Sequence, residues 1–139
     1  MKKKTFSAYF SNLDDIREFV GDCARVDGFS DKEIYSIQLA VDEACTNIIE
    51  HAYGGEGDDS LEIECDVNEG VMTIIIKDWG EPFDPSNVPE PNIDQGLYDR
   101  RIGGLGLYLM RKLMDTIGYI PSSESGNTLT MTKRKWVDG

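Results

Sequence analysis

Three polar residues recur at four-residue intervals in the segment VDEACTNIIEHAYGGE, which covers residues 41–56. On a helix, Glu43, Asn47 and His51 would form one row, because side chains at positions i and i+4 lie on the same face. A carboxylate, an amide and an imidazole in one row could together transfer protons and bind a ligand. The same row could instead be a solvated helix surface, so its meaning depends on the rest of the chain.

Two features of this row favour a functional interpretation. Asn47 lies at the edge of a predicted apolar stripe, although asparagine is a poor mid-helix residue because its amide competes for backbone hydrogen bonds. His51 is the only histidine in the chain. A lone histidine near a core is nevertheless more often structural than catalytic, so the row by itself does not establish a site.

A carboxylate also ends the apolar segment VMTIIIKD, residues 71–78. In a strand, Asp78 shares one face with three apolar residues, since alternate side chains point to the same side. An acceptor at the floor of an apolar pocket would suit a flat ring that carries an amino group, and Gly80 would allow a ligand to approach the backbone closely. The alternative is a strand-end aspartate that serves a turn.

A glycine cluster lies in the segment RRIGGLGLYLMRKL, residues 100–113, where a loop is predicted to become a helix. Backbone amides at a helix N-terminus bind phosphate, and the missing side chains permit close approach. The cluster matches neither the P-loop pattern nor the dinucleotide-binding fingerprint. Arg100 and Arg101 precede it, where a guanidinium could reach a terminal phosphate. A solvated arginine pair beside many acidic residues is the alternative.

Hydrophobic periodicity predicts the elements that hold these residues. A strand over TFSAYF is followed by a helix from Leu13 to Ala24 and then by the long helix that carries the row. Ser30 and Glu33 form a capping-box pattern at the start of this long helix, and Gly54–Gly55 ends it.

A hairpin is predicted next, because residues 61–67 alternate in polarity and Asn68–Glu69–Gly70 supplies turn residues before VMTIIIKD. A stretch from Trp79 to about Gly103 lacks clear periodicity. A last helix from roughly Gly104 to Ile117 and a strand in GNTLTMTKRK follow. This order predicts an α/β fold, a two-layer α/β sandwich with a mixed, mostly antiparallel sheet packed against helices. A long irregular loop in such a domain is usually a functional lid or disordered.

Length and composition limit the function classes. At 139 residues the chain is predicted to be a single domain. A net charge of −12 makes nucleic acid or an anionic membrane an unsuitable partner, although amides and a cation can still hold a nucleotide. The three cysteines form no CxxC pair and no apolar run is long enough to span a bilayer, which predicts a cytoplasmic protein.

Taken in order, three motifs resemble the N, G1 and G2 boxes of the GHKL ATPase superfamily, which includes gyrase, heat-shock chaperones, histidine kinases and MutL. They are E-x-x-x-N followed by H (Glu43, Asn47, His51), D-x-G (Asp78 to Gly80) and GGLGL at residues 103–107. VDEACTNIIEHAY, DWGEPFDP, GGLGLYLMRKLMD and GNTLTMTK are similar to its stand-alone branch, the anti-sigma factor serine kinases. The resemblance covers essentially residues 1–139 and implies the Bergerat fold of that superfamily.

The resemblance implies a role for the main polar residues. Asn47 would bind Mg²⁺ through its amide oxygen, and Asp78 would accept a hydrogen bond from the adenine amino group of ATP. Glu43 would be the general base that takes the proton from the attacking hydroxyl. Thr130, in the last strand, matches the family's threonine near adenine.

The resemblance also implies the other contacts to ATP. His51 would lie near the phosphates, Gly80 near the base, and Arg101 at the terminal phosphate, although Arg100 remains an alternative for that position. Residues 85–103 would form the ATP lid. Phosphate contacts would come from the glycine-rich segment, namely Gly103, Gly104, Leu105, Gly106 and Leu107.

The implied function is that of an ATP- and Mg²⁺-dependent serine kinase and anti-sigma factor, whose partners are an anti-anti-sigma protein with a STAS domain and a sigma factor. A nucleotide-gated binding module without catalysis is the main alternative, and a regulatory domain detached from a larger phosphatase or receptor system is a third. The lone histidine lies inside the N box, which argues against a complete histidine kinase. A homodimer is one expectation for the oligomeric state, which the sequence leaves open.

Overall fold

The computed structural model describes residues 1–82 and 110–136. Its main elements, in chain order, are β1 (Lys2–Ala8), α1 (Leu13–Val26), α2 (Asp31–Asn47), β2 (Gly57–Asn68), β3 (Val71–Asp78), β4 (Thr116–Ile120) and β5 (Asn127–Arg134). A 3₁₀ turn at Phe10–Asn12 precedes α1, and a π-helical segment at Ile48–Ala52 continues α2. Residues 110–113 are helical.

Within the described residues, five strands form one sheet in the order β1-β2-β3-β5-β4, and every pair of neighbours among them is antiparallel. One core joins the buried residues of α1 and α2 to alternate residues of the central strands. On β3 these are Met72, Ile74 and Ile76, and Asp78 is buried in the same alternating pattern. The helices therefore cover one face of the sheet, which confirms the predicted two-layer α/β sandwich.

Local signals in the sequence begin and end several elements as predicted. The capping box of α2 is formed, since Glu33 N donates to Ser30 Oγ at 3.1 Å and Ser30 N donates to Glu33 Oε1 at 2.9 Å. Between β2 and β3, Glu69 and Gly70 have φ angles of 52° and 77°. Two consecutive positive φ angles are typical of the type I′ turn, whose twist matches that of a hairpin.

The prediction that the last helix reaches Ile117 is wrong. Helical residues end at 113, and Ile117 lies in β4 directly opposite Met131 of β5. Ile117 is half-buried and packs against the core from a strand, not from a helix. The spacing of four residues between Leu113 and Ile117 suits a helix. The alternation of Ile117 with Tyr119 suits a strand instead, and hydrogen-bonded pairing with β5 stabilises the strand.

The sequence predicted one continuous helix for the row, but this helix is not α-helical to its end. It changes to a π-helix immediately after Asn47, with Tyr53 N donating to Ile48 O at 3.0 Å. Gly54 and Gly55 have φ angles of 72° and 140° and end the helix, as predicted. π-helical turns are rare and are found frequently at functional sites. None of the described helices is long and apolar enough to cross a membrane.

Candidate functional site

Four polar or charged residues are buried in the described part of the chain: Glu43, Asn47, Asp78 and Asn127. The first two lie on α2, and the other two are Cα partners at the paired ends of β3 and β5. Burying a polar group costs free energy unless it is hydrogen-bonded. Three predicted site residues, Glu43, Asn47 and Asp78, are therefore among the few polar residues that are buried. The burial of each requires a functional or structural reason.

Asn47 is oriented by a hydrogen bond along its own helix. Its Nδ2 donates to the carbonyl oxygen of Glu43 at 2.6 Å. This bond uses the nitrogen of the amide, so Oδ1 is the atom that remains for a cation, and oxygen is the ligand that Mg²⁺ prefers. The described residues contain no group of three or more histidine, cysteine or acidic side chains that could hold a metal ion.

Asp78 is held by two donors on one oxygen. Its Oδ1 accepts hydrogen bonds from Gly80 N at 2.9 Å and from Asn127 Nδ2 at 3.0 Å. Burial raises the pKa of Asp78 above its ordinary value, and the two hydrogen bonds act in the opposite direction. The second carboxylate oxygen, Oδ2, is left as the acceptor for a ligand that carries an N–H group.

Asn127 is a site residue that the sequence reasoning missed. Besides its bond to Asp78, its Nδ2 donates to Gly80 O at 2.9 Å, and its Oδ1 accepts from Ser122 N at 3.2 Å. Both ends of the amide are used, so Asn127 fixes the carboxylate of Asp78 and the turn that follows it. The signal was its place directly after Gly126, at the first position of the strand that pairs with β3.

The structure contradicts the prediction that Thr130 lies with Asp78 near the adenine. Thr130 is the Cα partner of Ile75, whereas Asp78 is the partner of Asn127. Along both strands the buried residues alternate with half-buried ones, and Thr130 belongs to the half-buried set. Because paired residues of antiparallel strands point to the same side, Thr130 lies on the sheet face opposite to Asp78.

Gly80 is required for a different reason from the one that the sequence suggested. A Cβ atom built on Gly80 would lie 2.4 Å from Ala52 O and 2.9 Å from the ring of Tyr53. The space beside its Cα is therefore filled by the end of the row's helix, not left for a ligand. Glu81 N donates to Ala52 O at 2.8 Å at the same contact, which joins the segment after β3 to that helix.

We expect Gly80→Ala to destabilise the protein by about 1–3 kcal/mol, because the new methyl group must displace backbone atoms in a packed contact. The free energy of unfolding in urea measures the effect. Gly118→Ala is the matched control, since a Cβ on Gly118 meets nothing within 4 Å. Equal stability of the two variants would contradict the close contact at Gly80.

A tyrosine strengthens the same connection. Trp79 N donates to Tyr53 Oη at 2.8 Å, and Tyr53 Oη donates to Ser60 O at 2.7 Å. Burial raises the pKa of Tyr53 above its ordinary value, so the hydroxyl stays protonated and can donate. The end of the row's helix, the segment after β3 and the start of β2 are thus held together around Asp78.

The remaining predicted residues divide into two groups. His51 lies in the π-helical segment with its side chain 24% exposed, and its Nε2 is 4.0 Å from Glu50 Oε2. Its side chain is thus only partly buried, whereas Glu43 and Asn47 are buried. The predicted lid at residues 85–103 lies outside the described residues. So do the residues predicted to contact the phosphates, which are Arg101, Gly103, Gly104, Leu105, Gly106 and Leu107.

Comparison with known proteins identifies the family of the chain. Residues 6–133 match the family of histidine kinase-like ATPase domains. The serine-protein kinase RsbW of Bacillus subtilis is 36% identical over 114 residues, which cover 76% of this chain and 68% of the relative. RsbW of Bacillus pumilus is 39% identical over 112 residues, with the same coverage.

Among solved structures, the RsbU and RsbW domains of a Mycobacterium tuberculosis protein superpose with a TM-score of 0.66 at 16% identity, covering 96% of this chain and 32% of that one. At this identity the likeness shows the fold alone. The chain belongs to the histidine kinase-like ATPase domain family and, within it, to the serine-protein kinases of the RsbW type.

Proposed function

We propose that this chain is an ATP- and Mg²⁺-dependent serine kinase and anti-sigma factor that phosphorylates an anti-anti-sigma protein with a STAS domain. The observation that carries the proposal is the buried polar group itself. Glu43 and Asn47 lie one turn apart on α2, and Asp78 presents one uncommitted carboxylate oxygen at the end of β3. Relatives at 36–39% identity are serine-protein kinases.

Asp78 would bind the nucleobase. Its Oδ2 would accept a hydrogen bond from the adenine amino group, while Asn127 and the Gly80 amide keep Oδ1 occupied. The carboxylate is therefore oriented before the ligand arrives, and no side-chain rotation has to be arrested on binding. An amino-bearing base would be preferred over one with a carbonyl oxygen at that position, because two acceptors would then face each other.

Asn47 would hold Mg²⁺ through Oδ1. Bound Mg²⁺ would neutralise charge on the phosphate oxygens during transfer. The residue's own contribution is orientation, because the bond from Nδ2 to Glu43 O keeps the amide oxygen turned away from that carbonyl. The predicted segments at residues 85–103 and 103–107 would complete the phosphate side of a single domain.

Glu43 would be the general base. It is 7% exposed and lies one helical turn before the metal-binding amide, so a hydroxyl brought to the phosphate would be near it. Its carboxylate would take the proton of the partner's serine as the oxygen attacks phosphorus. Positioning and electrostatic stabilisation supply most of the rate in such transfers, and a positioned base adds about 10²–10⁴-fold.

The partner side of the proposal rests on the family. The phosphate acceptor would be a serine on the anti-anti-sigma protein, and the chain would sequester a sigma factor, so the protein would regulate transcription without contacting nucleic acid. The net charge of −12 agrees with that division of roles, since the chain itself would repel DNA. A cytoplasmic location follows from such partners.

The decisive experiment combines the purified protein, Mg·ATP and STAS-domain proteins from the same genome, followed by mass spectrometry for phosphoserine on the partner. We expect one phosphoserine that depends on both ATP and Mg²⁺. If the protein binds ATP tightly but transfers phosphate to no candidate, the kinase proposal is wrong and the protein is a nucleotide-gated binding module.

We expect Asn47→Ala to weaken ATP binding in the presence of Mg²⁺ by at least about tenfold, or roughly 1.4 kcal/mol, because the cation loses its protein ligand. Calorimetric titrations with Mg²⁺ and with a chelator measure the effect, and the chelator arm is the internal control. The variant should bind metal-free ATP almost as the parent does. Equal losses in both arms would show that Asn47 supports the helix and not the metal.

A further inference from the structure

A groove with the opposite charge to the rest of the chain lies at the far end of the molecule from the candidate site. It has a volume of about 830 Å³ and runs between the first turns of α2 and the last residues of β5. Asp31–Asn47 spans roughly 24 Å at 1.5 Å per residue, and Asn127–Arg134 spans roughly 23 Å along its strand. The same two elements therefore contribute to both sites from opposite ends.

The groove concentrates positive charge. Among the described residues, four of the chain's fourteen lysines and arginines line it, against two acidic residues, in a protein whose net charge is −12. The cations are Lys32, Lys133, Arg134 and Lys135, and the acids are Glu33 and Asp115. Such a local excess of two positive charges, surrounded by an acidic surface, is a position where an anionic group of limited size would be attracted.

Two of these cations donate to backbone carbonyl groups, and the charge of Lys133 also acts on the Glu33 carboxylate without a direct salt bridge. Lys133 Nζ donates to Leu113 O at 2.7 Å, and Lys135 Nζ donates to Asp27 O at 3.0 Å. Both acceptors are uncharged carbonyl groups. Within residues 1–82 and 110–136, none of the four groove cations forms a salt bridge. Lys32 and Arg134 have exposed side chains.

The two acids of the groove are occupied by backbone donors. Glu33 accepts from Ser30 N through Oε1 and from Trp136 N through Oε2 at 2.6 Å, and Asp115 Oδ2 accepts from Arg134 N at 2.6 Å. Burial acts to raise the pKa of Glu33, but the N–H groups of Ser30 and Trp136, the Ser30 hydroxyl and the charge of Lys133 together outweigh it and hold the pKa below its ordinary value. These carboxylates therefore hold the groove walls in place.

Trp136 adds an apolar contact to the charged wall. Its backbone is fixed by the bond to Glu33, whereas its side chain is 79% exposed. Tryptophan and arginine are the residues most often found at the energetic centre of protein interfaces. An exposed indole on a fixed backbone, beside several lysines and an arginine, is thus typical of a docking surface and has no role in the core.

We propose that this groove docks an acidic peptide segment of a partner protein, with carboxylates facing Lys32 and Arg134 and an aliphatic side chain on Trp136. The docking site is separate from the position of phosphoryl transfer and does not depend on it. Nucleic acid and anionic membranes suit the groove less well, because their charge extends beyond it onto the acidic remainder of the surface. A short acidic peptide meets only the local positive field.

The two tryptophans of the chain allow a direct test, since Trp136 lies at the groove and Trp79 follows Asp78 at the candidate site. In ¹H–¹⁵N NMR spectra of the full chain, each indole gives its own signal. We expect a capped hexapeptide of four glutamates and two leucines to shift the Trp136 indole and the amides of Glu33 and Arg134, and to leave the Trp79 indole in place. The matched peptide with lysine for glutamate should shift none of them.

Charge reversal identifies the residues responsible. We expect Lys32→Glu/Arg134→Glu to weaken binding of the acidic peptide by at least about tenfold, because both side chains are exposed and their loss breaks no described fold contact. Lys2→Glu/Lys3→Glu makes the same change in net charge on β1, at the other edge of the sheet, and should bind as the parent does.

Three outcomes would overturn the proposal. Equal weakening in both double variants would show a general charge effect. Inorganic phosphate that shifts the same signals with the affinity of the peptide would show an anion site without peptide recognition. Signals that move with protein concentration before any peptide is added would make the groove a contact between copies of this chain. A retained Trp79 signal shows in each case that the variants are folded.

Discussion

Glu43→Gln is expected to lower the rate of phosphoryl transfer to the partner's serine by about 10²–10⁴-fold, the range for removal of a positioned general base. Glutamine has nearly the shape of glutamate but cannot take the proton of the attacking hydroxyl. The backbone carbonyl of Glu43, which accepts the bond from Asn47, is unchanged by the substitution. ATP affinity should therefore stay close to that of the parent, and the loss should appear in kcat.

Single-turnover transfer from radiolabelled ATP to the STAS partner measures the rate, and calorimetry measures ATP affinity separately. Glu50→Gln is the matched control, because it makes the same chemical change in the π-helical continuation of α2, at a side chain that is 46% exposed. A Glu43→Gln variant that transfers phosphate at the parental rate would exclude Glu43 as the base. If Glu43→Gln also loses ATP binding, Glu43 contributes to binding ATP and not only to the transfer step.

Asp78→Asn is expected to weaken ATP binding by at least about tenfold, or roughly 1.4 kcal/mol. The oxygen of the new amide can still accept from Gly80 N and Asn127 Nδ2, as Oδ1 of Asp78 does now. The amide nitrogen would then take the place of Oδ2 and would turn a donor toward the amino group of adenine. Two donors face each other in that arrangement, so the hydrogen bond that selects the base is lost.

The same substitution should not cost stability in the absence of ATP. Burial raises the pKa of Asp78, so the folded protein binds this proton more tightly than the unfolded chain does. The contribution of Asp78 to stability is then greatest below the ordinary aspartate pKa of about 3.9 and is lost as the pH rises through the raised folded-state pKa. We therefore expect Asp78→Asn to be as stable as the parent at neutral pH, or more so.

Urea unfolding between about pH 4 and pH 8 tests this sign, because the parent should lose stability over the range in which Asp78 ionises and the variant should lose less. Asp66→Asn is the control, since the side chain of Asp66 is 52% exposed. A parallel fall of stability and ATP affinity in Asp78→Asn would mean that the residue is structural and only indirectly needed for binding.

Local sequence signals predicted much of the fold correctly. The capping box of Ser30 and Glu33 and the turn at Glu69 and Gly70 act over a few residues, so their physical causes are present in the sequence itself. The alternation along β3 likewise placed Asp78 among buried residues before any pairing was known. These features depend on backbone preferences and side-chain period, which a linear sequence displays.

The errors occurred where the outcome depended on a distant partner. Ile117 suits either a helix or a strand, and pairing with β5 decided for the strand. Thr130 was assigned to the nucleobase from its motif alone, but the register of β5 against β3 turns it to the other face. A strand with period two reverses every side chain when its register shifts by one residue, and no local pattern supplies that register.

The sequence by itself determined the components of this protein: a helix with Glu43 and Asn47 one turn apart, a strand that ends in a carboxylate, and a glycine-rich segment in the order of one ATPase family. The tertiary structure decided which groups meet. It placed Asn127 against Asp78, filled the space beside Gly80 with Ala52, and brought the start of α2 to the end of β5. The physical reason is that helices, strands and turns depend on interactions between residues close in sequence. These contacts instead join positions 28 to 103 residues apart and form only when the sheet and helices pack.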